Sequence, residues 1–168
     1  MSIFDIEQLM EMEISTGFGE PVPIGFYNAV ISGVEVGGGP KGPYLNIETT
    51  IHDEEYYGRK VWRISSFSEK ALGMPGGIAE LLQVTDPPDL DRSVPAEELP
   101  AEIARAVLHS AVRIDTDQDQ VKRQGIPQTN DDGTPEMRAN VRSFSVPEDS
   151  FVESVQKEAA GIDDDLPF

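Results

Sequence analysis

YLNIETTIH, residues 44–52, alternates apolar and polar side chains along its length. Successive side chains of an extended chain point to opposite sides, so Leu45, Ile47 and Ile51 share one side and Tyr44 begins the other. This period of two predicts a β-strand with one face in the core and the other in solvent.

Four other stretches have the β-branched and aromatic composition of strands, and segments rich in Gly, Pro and Asp separate them. They are Phe26–Val36, Arg59–Phe67, Ser110–Thr116 and Met137–Val146. Between the third and fourth of the five strands, apolar residues recur at helical spacing in Gly76–Gln83 and Pro100–His109.

The predicted fold is therefore all-β with minor helix. Five strands with a helical insertion between strands 3 and 4 is the element order of a five-stranded OB-fold barrel. Other small β-barrels share that order, so these alternatives stay open. The glycine-rich segment 37–43 is expected to be a turn or flexible loop, and the polar segment 117–135 is expected to be a loop.

More than half of the net negative charge lies at the two ends of the chain. The sequence has 13 Lys+Arg and 31 Asp+Glu, for a formal net charge of −18. Residues 1–20 carry five acids and no base, and residues 147–168 carry seven acids and one lysine. Such composition favours solvated segments. We therefore expect an acidic N-terminal arm at 1–24, a domain at 25–146 and a flexible acidic C-terminal tail at 147–168.

The composition excludes several classes of protein. The chain has no cysteine, which rules out disulfides, thiolate metal sites and cysteine nucleophiles, and it has only two histidines. No stretch approaches the roughly 18 apolar residues that a membrane span needs, and the N-terminus lacks the pattern of a signal peptide. A cytoplasmic protein without a membrane partner is the expectation.

No group of residues has the spacing of a catalytic site, so we expect a non-enzyme without cofactor or metal. Asp115, Asp117 and Asp119 alternate as in a calcium loop, but the later glycine and the closing glutamate of that loop are missing. Gly37–Gly42 contains a lysine but lacks the Gly-Lys-Ser/Thr of a P-loop. A metal-dependent nuclease built on the three aspartates stays as a minor alternative.

The end of the chain, Asp163-Asp164-Asp165-Leu166-Pro167-Phe168, joins three aspartates to an apolar terminus. Pro167 restricts the backbone, and Phe168 unites an aromatic ring with the terminal carboxylate, which an apolar pocket beside a base can hold. This acidic tip resembles the C-terminal tip of bacterial single-stranded DNA-binding (SSB) proteins. The resemblance implies binding of replication, repair or recombination enzymes, and competition with DNA for the protein's own basic groove.

The body of the chain, 25–146, resembles phage-encoded OB-fold proteins that bind single-stranded DNA. Their Gly-x-Tyr pattern is matched by Gly25-Phe26-Tyr27, and their Tyr-x-Gly-Arg-like step by Tyr56-Tyr57-Gly58-Arg59-Lys60-Val61-Trp62. The body departs from the bacterial SSB proteins, which only the tip matches. A phage origin would imply the host cytoplasm as the location.

Proteins bind single strands by stacking bases on aromatic rings and by placing Lys and Arg along the phosphates. The densest mixture of these residue types lies in segment 56–63, and further candidates lie on the other strands and in the long loop. The predicted DNA-binding residues are Tyr44, Tyr57, Arg59, Lys60, Trp62, Arg63, Arg113, Lys122, Arg123, Arg138 and Arg142.

The sequence leaves open which face of the third strand contacts DNA. Lys60, Trp62 and Ile64 share one face, and Val61 and Arg63 share the other. The one tryptophan of a small barrel is more often a core residue. If Val61 faces inward instead, Arg63 is buried or at the rim of the barrel.

The leading interpretation is a protein that binds single-stranded DNA without strong sequence preference. Its tip would recruit partner enzymes in replication, recombination or repair. The net charge of −18 supports an alternative, an acidic DNA mimic or inhibitor that binds a DNA-processing enzyme rather than DNA. The oligomeric state is left open, with a homo-oligomer among the alternatives.

Overall fold

Five strands form one sheet in which the last strand hydrogen-bonds to the first, so that the sheet is closed. The computed structural model describes residues 21–40 and 42–164, with side chains described as far as residue 157. In chain order the strands are β1 Phe26–Gly39, β2 Gly42–Ile51, β3 Lys60–Ser66, β4 Ala111–Gln120, β5 Lys122–Arg123, β6 Ile126–Pro127 and β7 Met137–Ser145. The helices are α1 Glu69–Leu72, α2 Ile78–Thr85, α3 Leu99–Val107 and α4 Asp149–Asp164.

The closed sheet has the strand order β1-β2-β3-β7-β4, and β5 and β6 form a separate two-stranded hairpin. Neighbouring strands run antiparallel except β3 and β7, which pair in parallel at Trp62 and Asn140. The prediction of five strands with helices between the third and fourth is confirmed, because α1, α2 and α3 occupy that connection.

The inward face of the sheet and the apolar faces of α2 and α3 form one core. Leu45, Ile47 and Ile51 of β2 are completely buried, as their period of two predicted. They belong to one cluster with residues of the other strands and of both helices: Ile31, Val61, Ile78, Leu81, Ile103, Val107, Val112, Ile114 and Val141. Each such burial is worth about 1.5–3 kcal/mol, so the core holds the inserted helices on the sheet.

The glycine-rich segment 37–43, predicted to be a turn or flexible loop, contains the turn between β1 and β2, and its outer residues belong to those two strands. Gly37 pairs with Tyr44, and Gly39 pairs with Gly42. A Cβ at Gly37 would overlap the Tyr44 ring, so the ring lies over bare backbone there. The absence of a side chain at Gly37 therefore serves packing as well as flexibility.

The predicted loop from Asp117 also contains more regular structure than expected. β4 continues to Gln120, because its polar end pairs with β7 as far as Met137. The β5–β6 hairpin follows, and Gln124 and Gly125 at its turn have φ of 54° and 79°. This hairpin is exposed, so its polar sequence carries no apolar period by which it could have been predicted.

The inserted helices join the sheet through the backbone around Gly76. The Ser65 hydroxyl donates a hydrogen bond of 2.6 Å to the Gly76 carbonyl, and the Glu80 carboxylate accepts one from the Gly76 N–H at 3.1 Å. Gly76 has φ of 75°, and a Cβ there would lie 2.7 Å from the Arg142 carbonyl oxygen. Both the conformation and the close approach therefore require glycine.

We expect Gly76→Ala to lower the free energy of unfolding by about 3 kcal/mol, since it adds left-handed strain and an overlap with backbone. Gly133→Ala is the matched control. Gly133 also has positive φ, 86°, but nothing lies within 4 Å of its added Cβ, so its loss should be about 1 kcal/mol. Urea unfolding measures both, and equal losses would show that the close approach at Gly76 is unimportant.

The chain joins the barrel before the predicted domain boundary at residue 25. Val22 is 2% exposed and belongs to the core, and the Gln118 side-chain amide donates a hydrogen bond of 2.9 Å to its carbonyl. The Tyr27 hydroxyl donates one of 2.6 Å to the Pro23 carbonyl, and burial raises the pKa of Tyr27 above its ordinary value. Residues 21–24 are thus packed on the sheet, whereas residues 1–20 of the predicted arm lie outside the described residues.

The C-terminal segment was predicted to be a flexible tail from residue 147, but Asp149–Asp164 form the helix α4. The Phe151 ring of this helix lies 5.8 Å from His52, whose ring lies 5.3 Å from that of Tyr57. Phe151 and Val155 are four residues apart, which is the spacing of residues on one face of a helix. Many of the residues around them are acidic. Residues 165–168 of the acidic tip lie outside the described residues. No helix in the described part of the chain is long and apolar enough to cross a membrane.

Candidate nucleic-acid interface

An open groove of 1460 Å³ runs along the outer face of β3. One side is formed by Pro21, Val22 and Pro23, which lead into the barrel. The rest comes from Asn46 of β2, from the segments 58–64 and 118–123, and from the segment 130–140 that leads into and along β7. The groove therefore brings together parts of the chain that are up to 119 residues apart in sequence.

The structure shows which face of β3 packs into the core. Val61 is completely buried and Ser65 is 1% exposed, whereas Trp62 is 37% exposed and Ile64 is 61% exposed. A core position, which is common for a lone tryptophan, is therefore not found here. Val61 faces the core instead, and Trp62 faces outward. Trp62 lies on the floor of the groove with Lys60 and Ile64 on either side of it along the strand.

Arg63 lies on the inward side of β3 but at the edge of the core, the placement expected if Val61 is buried. Its Nη1 donates a hydrogen bond of 3.3 Å to the Val141 carbonyl, and its Nη2 donates one of 3.1 Å to the Pro75 carbonyl. The buried Nε has no hydrogen-bond partner among the described residues. Arg63 thus contributes charge to the groove while it holds β3, β7 and the helical insertion together.

The groove is more basic than the protein as a whole. Five of its lining residues are basic, namely Arg59, Lys60, Arg63, Arg123 and Arg138, and two are acidic, namely Asp119 and Glu136. This local excess contrasts with the formal charge of −18 for the chain. A groove of low-dielectric walls concentrates the field of its own charges, so the local charge of the groove differs from what the net charge of the chain suggests.

Carboxylates lie close to two of these basic residues. Lys60 Nζ lies 3.0 Å from Glu48, and Arg123 Nη2 lies 3.9 Å from Glu136. Exposed ion pairs of this kind contribute only about 0–1 kcal/mol. Either ion pair can therefore be broken at little cost in free energy.

The predicted residues Tyr44 and Tyr57 do not line the groove. Tyr44 pairs with Ser66 beyond the end of the groove, and its half-buried ring lies over Gly37. Tyr57 is 66% exposed, and its ring packs edge-on against His52. The expected set of aromatic platforms is thus reduced to Trp62 in the groove itself.

Three of the predicted basic residues also lie outside the groove. The Arg113 guanidinium lies 4.6 Å over the Phe26 ring on the outer face of β1 and β4. Lys122 pairs with Pro127 in the β5–β6 hairpin, next to the groove residue Arg123. Arg142 lies at the irregularity in the β4–β7 pairing, which disrupts the simple alternation from which it was predicted.

Sequence reasoning missed two apolar residues of the groove, Ile64 and Met137. Ile64 could have been found, because it shares the face of Trp62 by the period of two. Met137 could not, since only the pairing of β7 with β4 and β3 brings it to this surface. Together the two supply exposed apolar surface in the same groove as Trp62.

The aspartates considered for a metal site are spread along one strand. Asp115, Asp117 and Asp119 occupy alternate positions of the extended β4, and Asp119 accepts a hydrogen bond of 2.7 Å from the Asn140 amide. Within the described residues, no three histidine or acidic side chains are placed to hold a metal ion.

Comparisons with known proteins find little. No protein-family model matches the chain, and no curated protein sequence matches it. Among solved structures it is similar to a chain of yeast RPA bound to ssDNA, with 13% identity, 94% of this chain and 95% of that chain covered, and a TM-score of 0.37. A TM-score this low does not establish a common fold, so the interpretation of the groove rests on its own residues.

Proposed function

We propose that the groove along β3 binds single-stranded DNA without strong sequence preference. The observation that carries the proposal is the placement of Trp62, an exposed aromatic ring between Lys60 and Ile64 in a groove lined by five basic residues. Stacking on an aromatic ring accepts any base, because every base has a π-face, and stacking is worth about 1–3 kcal/mol per base.

The architecture supports the proposal. A closed sheet ordered β1-β2-β3-β7-β4 with helices between β3 and β4 has the strand count of an OB-fold. OB-folds bind oligonucleotides on the face of their second and third strands. Here Trp62, Lys60 and Asn46 lie on that face. We assign the barrel to the OB-fold architecture as part of the proposal.

We also propose a biological setting for this binding. The protein would act in DNA replication, recombination or repair, in the cytoplasm of a cell or of a phage-infected host. Its acidic tip, Asp163–Phe168, would recruit partner enzymes by C-terminal capture. The resemblance of that tip to the tip of bacterial SSB proteins supports this role.

Removal of Asp163–Phe168 should raise the affinity for oligo-dT and abolish recruitment of partner enzymes. The three aspartates add negative charge that competes with phosphate, and Leu166 to Phe168 supply the apolar contact. Removal of Leu166–Phe168 alone is the matched variant, which should lose recruitment while DNA affinity stays the same. Pull-down and DNA titration measure the two effects, and unchanged results for the longer deletion would show that the tip is inert.

The proposal is tested by fluorescence anisotropy of a labelled oligo-dT at low salt. We expect saturable binding that weakens as salt rises, because the release of counterions from the DNA gains less free energy at higher salt. No binding below tens of micromolar would contradict the proposal. It would favour the acidic DNA mimic, which the net charge of −18 supports.

A further inference from the structure

The N-terminal arm joins the barrel at the groove, which makes the groove a candidate binding site for the arm. Pro21, Val22 and Pro23 line the same groove as Trp62. Val22 is held there by burial in the core and by the hydrogen bond from Gln118. Residues 1–20 are therefore attached to the edge of the basic groove by a packed anchor.

The sequence of the arm complements the groove in charge. Residues 1–20 carry five acids and no base, whereas the groove has five basic residues against two acidic ones. Glu20, Glu13 and Glu11 lie one, eight and ten residues before Pro21. An extended chain covers up to about 3.5 Å per residue, so these carboxylates can reach along a groove that begins at their own anchor.

The arm also matches the apolar part of the groove. It contains Phe4, Leu9, Met10, Ile14 and Phe18 among its acids. The groove offers exposed apolar surface at Trp62, Ile64 and Met137. An acidic chain with apolar side chains has the two properties that a single DNA strand presents, namely negative charge and flat or apolar groups.

We propose that the N-terminal arm, residues 1–20, occupies the β3 groove of its own chain when no nucleic acid is bound, and that nucleic acid must displace it. Because the arm is tethered at Pro21, its local concentration at the groove is high, in the millimolar range typical of short tethers. Even a weak contact is therefore populated. The DNA-displacement part rests on the proposed function, whereas occupation of the groove does not require DNA.

Trp62 provides a direct test, because it is the one tryptophan of the chain and lies in the groove. The test variant is the full chain with Asp5→Asn, Glu7→Gln, Glu11→Gln and Glu13→Gln. The control has the same change in net charge at four exposed acids outside the groove: Glu69→Gln, Glu97→Gln, Glu98→Gln and Glu153→Gln. Acrylamide quenching of Trp62 fluorescence is measured for the two variants and for the original chain at low and high salt, and so is oligo-dT affinity.

At low salt we expect Trp62 to be quenched about twofold more in the arm variant than in the original chain or the control. High salt should remove the difference, since it screens the contact between arm and groove. The arm variant should also bind oligo-dT about tenfold more tightly than the control does. Equal quenching in all three proteins at low salt would overturn the inference, even if all bind DNA. Protection of Trp62 by the arm with no DNA binding by any of them would support the inference and contradict the proposed function.

Discussion

Replacement of Trp62 by alanine is expected to weaken oligo-dT binding roughly 5- to 150-fold, since it removes a stacking contact worth about 1–3 kcal/mol. Trp62 is 37% exposed and lies outside the core cluster, so the fold should survive the change. Trp62→Phe retains a ring and should recover part of the affinity. Anisotropy titrations of a labelled oligo-dT measure the series.

Phe26→Ala is the matched control for Trp62→Ala. Phe26 is also an exposed aromatic, at 58%, but it lies under Arg113 outside the groove. Its loss should change the affinity by no more than about twofold, within the range of a nearly neutral surface contact. If both alanine variants bind like the original chain, or if both lose affinity equally, Trp62 is not the stacking platform.

Combined replacement of Arg123 and Arg138 by alanine should weaken binding about tenfold or more at low salt and also flatten its salt dependence. Both residues line the groove, Arg138 on β7 and Arg123 on the β5–β6 hairpin. Each phosphate contact to a single strand contributes about 0.7 to the slope of log K against log salt. The double variant should therefore lose about 1.4 from that slope. Titrations at several salt concentrations measure it.

Lys70→Ala with Arg92→Ala is the control for this pair, since it makes the same change in net charge. Both side chains are exposed and neither lines the groove. The control should keep the slope and lose little affinity. An equal loss in the two double variants would mean that DNA responds to the overall charge of the protein and not to the groove.

The fold could be predicted largely from the sequence because its strands have one buried face. The alternation in β2 placed Leu45, Ile47 and Ile51 correctly in the core. The exposed β5–β6 hairpin and the acidic helix α4 were not predicted, since neither has a strong apolar period. For α4 the spacing of Phe151 and Val155 was a weak signal among many acids.

The site was less predictable, because residue type alone does not say which surface a side chain reaches. Segment 56–63 supplies four of the residues that line the groove, namely Arg59, Lys60, Trp62 and Arg63. Arg113 was placed elsewhere by the pairing of β4 with β1, and Arg142 by the irregularity in the β4–β7 pairing. Such placements depend on strand register, which the sequence of a single strand does not contain.

The negative charge of the chain and the proposed binding of DNA agree once the charge is located. The acids are densest at the two ends, while five of the thirteen Lys+Arg line one groove. If the groove binds DNA as proposed, phosphate must compete there with the protein's own carboxylates. The proposed competition by the two ends would then follow from the same charge distribution.

Ultraviolet cross-linking of oligo-dT to the full chain tests directly whether the β3 groove holds single-stranded DNA. The linked residues are mapped by mass spectrometry. Cross-links are expected at Trp62 and within the groove segments 58–64, 118–123 and 130–140, and they should be fewer in the Arg123→Ala, Arg138→Ala variant. Cross-links confined to the opposite face around Phe26, or none at low salt, would contradict it.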